Sequence, residues 1–179
     1  MKIALCGTLP SSGETGGVSE YIMELAKRLS ALDLEFEVLN QKTTDYKFDF
    51  KVKNFSKEIF FPSGISALVP MYRYLRRTHF DIIHAHTPTA GFITTLLRTK
   101  GKVKVIYTAH GFPTPQVESR FLSYLYTYYG YYLAAKACIH ADERVTVCKF
   151  YQNYIKRNFQ MNSTCLLYTS PSPRDLSTS

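Results

Sequence analysis

A short apolar run, Ile3 to Cys6, is followed by the turn Glu14-Thr15-Gly16-Gly17-Val18 and then by a strongly periodic helix, an order that few folds accommodate. Val18, Tyr21, Ile22, Leu25, Ala26, Leu29 and Leu32 recur at spacings of three and four residues, the period of one buried helix face. Glu20, Glu24, Lys27 and Arg28 fall mostly off that stripe. The two adjacent glycines are expected to take positive φ and to let the backbone approach a ligand, while their N–H groups join the unpaired donors at the helix start. Gly16 and Gly17 therefore read as a phosphate site; a plain tight turn from strand to helix accounts for the same residues. Counted from Gly13 the pattern is G-x-x-G-G, not the G-x-G-x-x-G of dinucleotide folds. The second strand, Phe36 to Leu39, is followed by Asn40 rather than by an acidic residue that would hold a ribose, which argues against nicotinamide and flavin.

Strand and helix patterns go on alternating. After Phe36 to Leu39 come a candidate strand at Val52 to Phe55, a basic helix at Ile65 to Arg77, a buried strand at Phe80 to His84 and a helix from about Thr89 to Arg98. Val103 to Thr108 is β-branched and reads as a central strand; a Tyr-rich helix runs from about Glu118 to Ile139, and Arg144 to Val147 reads as the last strand. The expected class is α/β, a Rossmann-like parallel sheet with helices on both faces. Ligands of such sheets collect beyond the carboxyl ends of the strands. Gly7 to Gly17, His84 to Thr87, Ala109 to Gly111 and the segment from Cys148 onward are the stretches expected there.

The chain has 179 residues and a formal charge of +8, a basicity that suits anionic lipid, a phosphorylated substrate or nucleic acid without choosing among them. The basic residues are scattered and no nucleic-acid reader motif occurs, so nucleic acid is not expected as a partner. Outside residues 165–179 the cysteines are Cys6, Cys138 and Cys148, with no C-x-x-C spacing and no even framework, which fits a reduced, cytoplasmic protein. No apolar run approaches the ~20 residues of a spanning helix, and the N-terminus opens directly on strand residues rather than on a signal peptide. Residues 165–179, from Cys165 to Ser179, resemble a transposase sequencing adapter read in frame, the alternative being a natural Ser/Pro-rich tail. The expected organisation is thus one domain over residues 1–164, with the reading frame interrupted near Thr164 and 165–179 a disordered, adapter-derived tail.

His110 follows the Val103 to Thr108 strand and precedes a glycine that permits a sharp turn, so it can offer a hydrogen bond to a hydroxyl or phosphate near neutral pH. A satisfied structural histidine is the other reading. Of His84 and His86, one residue apart at a strand end, only one is expected along the inner face; His84 reads as packed and hydrogen-bonded, His86 as reaching solvent or ligand. As a metal pair they lack a third ligand at suitable spacing. Cys6 and Cys148 sit in or beside apolar strands and read as core rather than nucleophiles. Phe121 to Leu133 is aromatic on all helix faces, suited to a membrane interface or to an adjacent domain. Arg73, Arg76 and Arg77 could face anionic lipid or form a solvated face.

Taken in order, Gly16-Gly17-Val18, Phe80 to His86, Tyr107-Thr108-Ala109-His110-Gly111-Phe112 and Ala141 to Val147 resemble glycosyltransferase family 4 over about residues 1–164. The likeness is to the amino-terminal half of bacterial capsule or exopolysaccharide glycosyltransferases. The resemblance implies the GT-B architecture, two Rossmann-like domains across a cleft, and transfer from a nucleotide-sugar with retention at the anomeric carbon. It implies that Gly16 and Gly17 lie against the donor diphosphate and that His110 projects toward the transferred sugar, steadying positive charge at the anomeric centre. Thr15, His86 and Gly111 with the loop after it would face the acceptor, a glycan or lipid-linked molecule. No metal or cofactor is implied beyond the donor substrate, and the enzyme would work in the cytoplasm, in peripheral contact with an anionic membrane. The family's second domain, with most nucleotide contacts, is not found in the sequence, so this polypeptide is expected to be inactive by itself. A stand-alone Rossmann-like module for a phosphorylated ligand is the alternative.

Overall fold

The computed structural model describes residues 1–10, 16–55, 65–97, 103–112 and 121–166. Its elements alternate along the chain: β1 (Lys2–Gly7), α1 (Gly17–Ala31), β2 (Glu35–Asn40), β3 (Val52–Asn54), α2 (Ile65–Arg77) and β4 (Ile82–Ala85). There follow α3 (Pro88–Leu97), β5 (Lys104–Ala109), α4 (Phe121–His140), β6 (Glu143–Thr146), α5 (Lys149–Phe159) and β7 (Thr164–Cys165). The seven strands form one parallel sheet in the order β3-β2-β1-β4-β5-β6-β7. Moving outward from β1 the chain first builds toward β3, then returns to the other side of β1 at β4. That reversal opens a crevice between the carboxyl ends of β1 and β4, where doubly wound sheets bind ligands.

Strands β1, β2 and β4 each serve two cores because both faces of the sheet are covered. Ala4 and Cys6 of β1 turn to a core shared with Met71 and Leu75 of α2, Ala90 and Ile93 of α3, Ala134, Ala137 and Cys138 of α4, and Ile155 of α5. Ile3 and Leu5 turn the other way, to Ile22 and Ala26 of α1, with Val38 of β2 beside them. The α1 stripe packs as its spacing predicts as far as Leu29, with Val18, Leu25 and Leu29 partly against the same core, whereas Leu32, the C-cap residue, is 68% exposed. At its far end the N–H of Leu32 reaches the carbonyls of Arg28 and Leu29, the N–H of Asp33 reaches that of Ser30, and Asp33 at φ 52° turns the chain into β2.

Helices α3 and α4 lie unusually close. A Cβ on Gly91 would collide with the Ala137 methyl and come within 2.9 Å of the Tyr107 ring carbons, so glycine is required by space rather than by backbone conformation. The outer face of α4 is the tyrosine face, with Tyr124, Tyr128 and Tyr132 exposed at four-residue spacing.

Two features depart from the sequence reading. The last strand is not β6: α5 and β7 follow it, and the left-handed Gln160 (φ 55°) turns α5 toward β7. Cys165, assigned from sequence to the tail, pairs with Thr146 in the sheet, and the Leu166 N–H donates to the Thr146 carbonyl at 2.9 Å. Residues 167–179, the rest of that segment, lie outside the described residues.

Candidate active site

The crevice is built by short contacts between strand ends. Gly7 closes β1, and a Cβ there would stand 2.5 Å from Ile22 Cδ1 and 3.3 Å from His86 Cβ, so α1 and β4 both approach this backbone closely. Asn40, at the end of β2, fixes the chain leaving β1: its Oδ1 accepts the Leu9 N–H at 2.9 Å and its Nδ2 donates to Asn54 Oδ1 at 2.9 Å. Thr87 caps α3, accepting the Ala90 N–H at 3.2 Å, while its hydroxyl donates to Gln41 Oε1 at 2.7 Å. Pro88 then occupies the first helical position, where its missing N–H costs nothing.

Three imidazoles gather on the α1 side of β4 and β5. Residues two apart on a strand share a face, so His84 and His86 stand side by side with ring centroids 4.1 Å apart. This corrects the expectation that one of them turns outward. His84 Nε2 shares a 2.7 Å hydrogen bond with Thr108 Oγ1, in keeping with a packed, satisfied histidine. His86 is only 2% exposed, so of the two expected surroundings, solvent or ligand, bulk solvent is excluded by α1 lying over it. His110 is half-buried, with Nε2 3.4 Å from His86 Nδ1. Tyr21 of α1 covers the pair, its ring 5.4 Å from that of His86 and edge-on to His110 at 5.2 Å.

Burial sets the charge state of this cluster. It holds the His84 imidazolium at about 4, helped by the neighbouring His110 charge. It keeps His86 well below the ordinary histidine range, with His84 and His110 adding to the effect, and it lowers His110 as well. All three are neutral at pH 7, able to give or accept hydrogen bonds but carrying no charge. Burial likewise pushes the thiols of Cys6 and Cys138 upward, Cys138 to about 12, which suits core residues rather than nucleophiles.

A cleft of about 370 Å³ opens beside the histidines, walled by Val18, His86, Thr87, Tyr107, His110 and Phe112. The structure therefore brings His86, His110 and Gly111 together with the first turn of α1. Gly16 is the N-cap of α1, extended at φ −113° and ψ 153°, and it supplies no side-chain cap. Neither Gly16 nor Gly17 has positive φ, which corrects that expectation; a Cβ on either would meet nothing within 4 Å. Their value is an open approach to the first-turn N–H groups. Gly111 is tighter, since a Cβ there would lie 3.3 Å from the Tyr151 hydroxyl. Thr15 lies outside the described residues. Sequence reasoning missed Tyr107 as a cleft residue and Tyr21 as the ring packed over His86 and His110. Each was absorbed into an apolar pattern, and the signal that could have singled them out is a hydroxyl-bearing ring one turn from the glycine pair or at a strand end. Among the described residues no group of three or more His, Cys, Asp or Glu is placed to hold a metal ion.

The family profile described as Glycosyltransferase Family 4 matches residues 15–168, the cleft included. The chain belongs to glycosyltransferase family 4. It is 25% identical over 120 residues to a D-inositol 3-phosphate glycosyltransferase of Streptomyces bingchenggensis, spanning 56% of this chain and 26% of that protein. It is also 25% identical over 124 residues to an Escherichia coli UDP-Gal:alpha-D-GlcNAc-diphosphoundecaprenol alpha-1,3-galactosyltransferase, covering 63% of this chain and 32% of the relative. Among solved structures, Anabaena Alr3699/HepE in complex with UDP superposes with a TM-score of 0.64 at 17% identity, over 99% of this chain and 48% of that one. The family 4 chain thus spans about a quarter to a third of these two curated relatives. Its sheet is the Rossmann-like α/β half shared with GT-B glycosyltransferases.

Proposed function

We propose that the chain is the acceptor-side domain of a retaining glycosyltransferase that moves a sugar from a nucleotide-sugar to a polysaccharide or lipid-linked acceptor. The observation that carries this reading is the cleft itself, where the uncapped first turn of α1 and the neutral His110 flank one opening at the switch point of the sheet. In this role the first-turn N–H groups at Gly16 and Gly17 meet the donor diphosphate, and His110 meets the transferred sugar, where charge develops in the transition state. A neutral imidazole suits that place, because it offers a hydrogen bond without repelling a cationic anomeric centre. His86, Gly111 and Thr15 belong to the acceptor side. Uridine nucleotides are the favoured donors, supported by the UDP held by the Anabaena structure and the UDP-Gal named for the Escherichia coli relative. The latter's diphosphoundecaprenol acceptor supports a lipid-linked one. Transfer is proposed to use no metal or further cofactor, at the cytoplasmic face of a membrane.

Because the match covers a quarter to a third of its curated relatives, turnover is proposed to need a second domain and this polypeptide to be inactive alone. With UDP-glucose or UDP-galactose the chain should release no UDP above buffer. Joined to the second domain that its uninterrupted gene is proposed to encode, it should transfer the sugar, and His110→Ala should lower kcat by about 10²–10³ with little change in KM, the size of a lost transition-state donor. Unchanged kcat in that variant would remove His110 from the reaction.

A further inference from the structure

The two histidines of the cleft do not have independent protonation patterns. Each is a neutral imidazole, with one N–H and one bare nitrogen, and their only mutual approach is His86 Nδ1 to His110 Nε2 at 3.4 Å. One of these nitrogens must be the donor and the other the acceptor. The choice is made at the far side of His86, whose Nε2 is fully buried and has no hydrogen-bond partner among the described residues. Were Nε2 the protonated nitrogen, the core would hold an orphaned N–H, the rarer and costlier defect; a bare lone pair facing ring edges is better tolerated. The neighbouring rings are those of His84 at 4.1 Å and Tyr21 at 5.4 Å, and His84 Nε2 is engaged by Thr108.

We infer that His86 is a positioning residue that fixes the tautomer of His110: His86 carries its proton on Nδ1 and donates it to His110 Nε2, leaving His110 with its own proton on Nδ1. The nitrogen that His110 has free for a ligand is then a donor, not a base. It can give a hydrogen bond to a hydroxyl or phosphate oxygen, and it cannot take a proton from an attacking hydroxyl. This deepens the glycosyl-transfer reading and rests on it for the identity of the ligand, but not for the tautomer.

Side-chain ¹⁵N spectra of this chain at pH 7 test the inference without donor or acceptor, so its failure and a failure of the transfer reading are separable. Protonated and bare imidazole nitrogens resonate in well-separated ranges. The expected spectrum has His86 and His110 both protonated at Nδ1 and bare at Nε2. Signals showing His110 protonated at Nε2 overturn the inference outright, and this result needs no variant. In His86→Leu, with the fold checked by the backbone amide spectrum, His110 Nε2 should cross into the N–H range. In His86→Asn, whose amide N–H can stand where Nδ1–H stood, it should return to the bare range. A His110 tautomer unmoved by His86→Leu, or unrescued by His86→Asn, would show that something other than the residue 86 donor sets it.

Discussion

At the scale of single residues, the molecule's least expected investment is three uncharged imidazoles within one cluster. Their pKa values are held below that of an unfolded histidine, so the unfolded chain binds more protons as the pH drops and folding stability must fall with it. The stabilisation is fully present above about pH 6.5 and is withdrawn as the pH falls toward 4, where His84 titrates in the fold. For His84 alone the shift is worth on the order of 3 kcal/mol. Thermal melts between pH 7 and 4.5 should show a falling midpoint, and His84→Gln should flatten the slope. A midpoint constant over that range would mean that the cluster titrates normally in the fold. Residue identity was only partly legible here. His110 and Gly111 stand out from their place at a strand end, and the period of two should have put His84 and His86 on one face. No local pattern, however, announces that Tyr21 closes over them. Nor does sequence reveal Glu37, which alternates with exposed Glu35 yet is 1% exposed and accepts the Tyr74 hydroxyl at 2.9 Å. A tertiary partner 37 residues away decides it.

At the scale of elements, periodicity carried most of the fold. Helix α1 and strands β1, β2 and β5 were found within a residue or two, because each buries enough apolar side chains to write a period. Helix α5 was not, since Ile155 is its one buried residue among the described ones, and the two residues of β7 are too few to show any period. Packing between elements is less visible still. The close approach of α3 to α4 hangs on Gly91, and sequence shows only a glycine inside an apolar helix. Gly91→Ala forces a methyl against Ala137 and the Tyr107 ring, neither of them a flexible side-chain end. Overpacking of this kind costs about 1–3 kcal/mol, which corresponds to a drop in Tm of roughly 2–12 °C for a chain of this size. An unchanged Tm would mean that α3 can shift outward without loss.

At the scale of the whole molecule, the surface away from the cleft carries exposed tyrosines and arginines. Tyr124, Tyr128 and Tyr132 line the outer face of α4, with Lys136 over the Tyr132 ring, and Arg73, Arg76 and Arg77 are exposed on α2. Among the described residues no helix is long and apolar enough to cross a membrane. Arginine side chains near an anionic bilayer are drawn to its surface charge. At about 1 kcal/mol per basic residue near such a surface, three arginines favour anionic over neutral vesicles by on the order of 10²-fold at low salt. Co-sedimentation with phosphatidylglycerol and phosphatidylcholine vesicles should show that preference, and exchanging the three arginines for glutamine should abolish it. Equal recovery on both lipids would leave the tyrosine face to a protein partner.

The strand order also dictates a schedule. β1 precedes the other strands in the chain and is an interior strand between β2 and β4, but β4 begins at Ile82, after β2, β3 and α2. At roughly 5–20 residues per second, ribosomal synthesis keeps one edge of β1 unpaired for about 4–16 s. During that interval the apolar run Ile3 to Cys6 is an open template for any other nascent strand, so the birth of this domain is the time at which it is most exposed to misassembly.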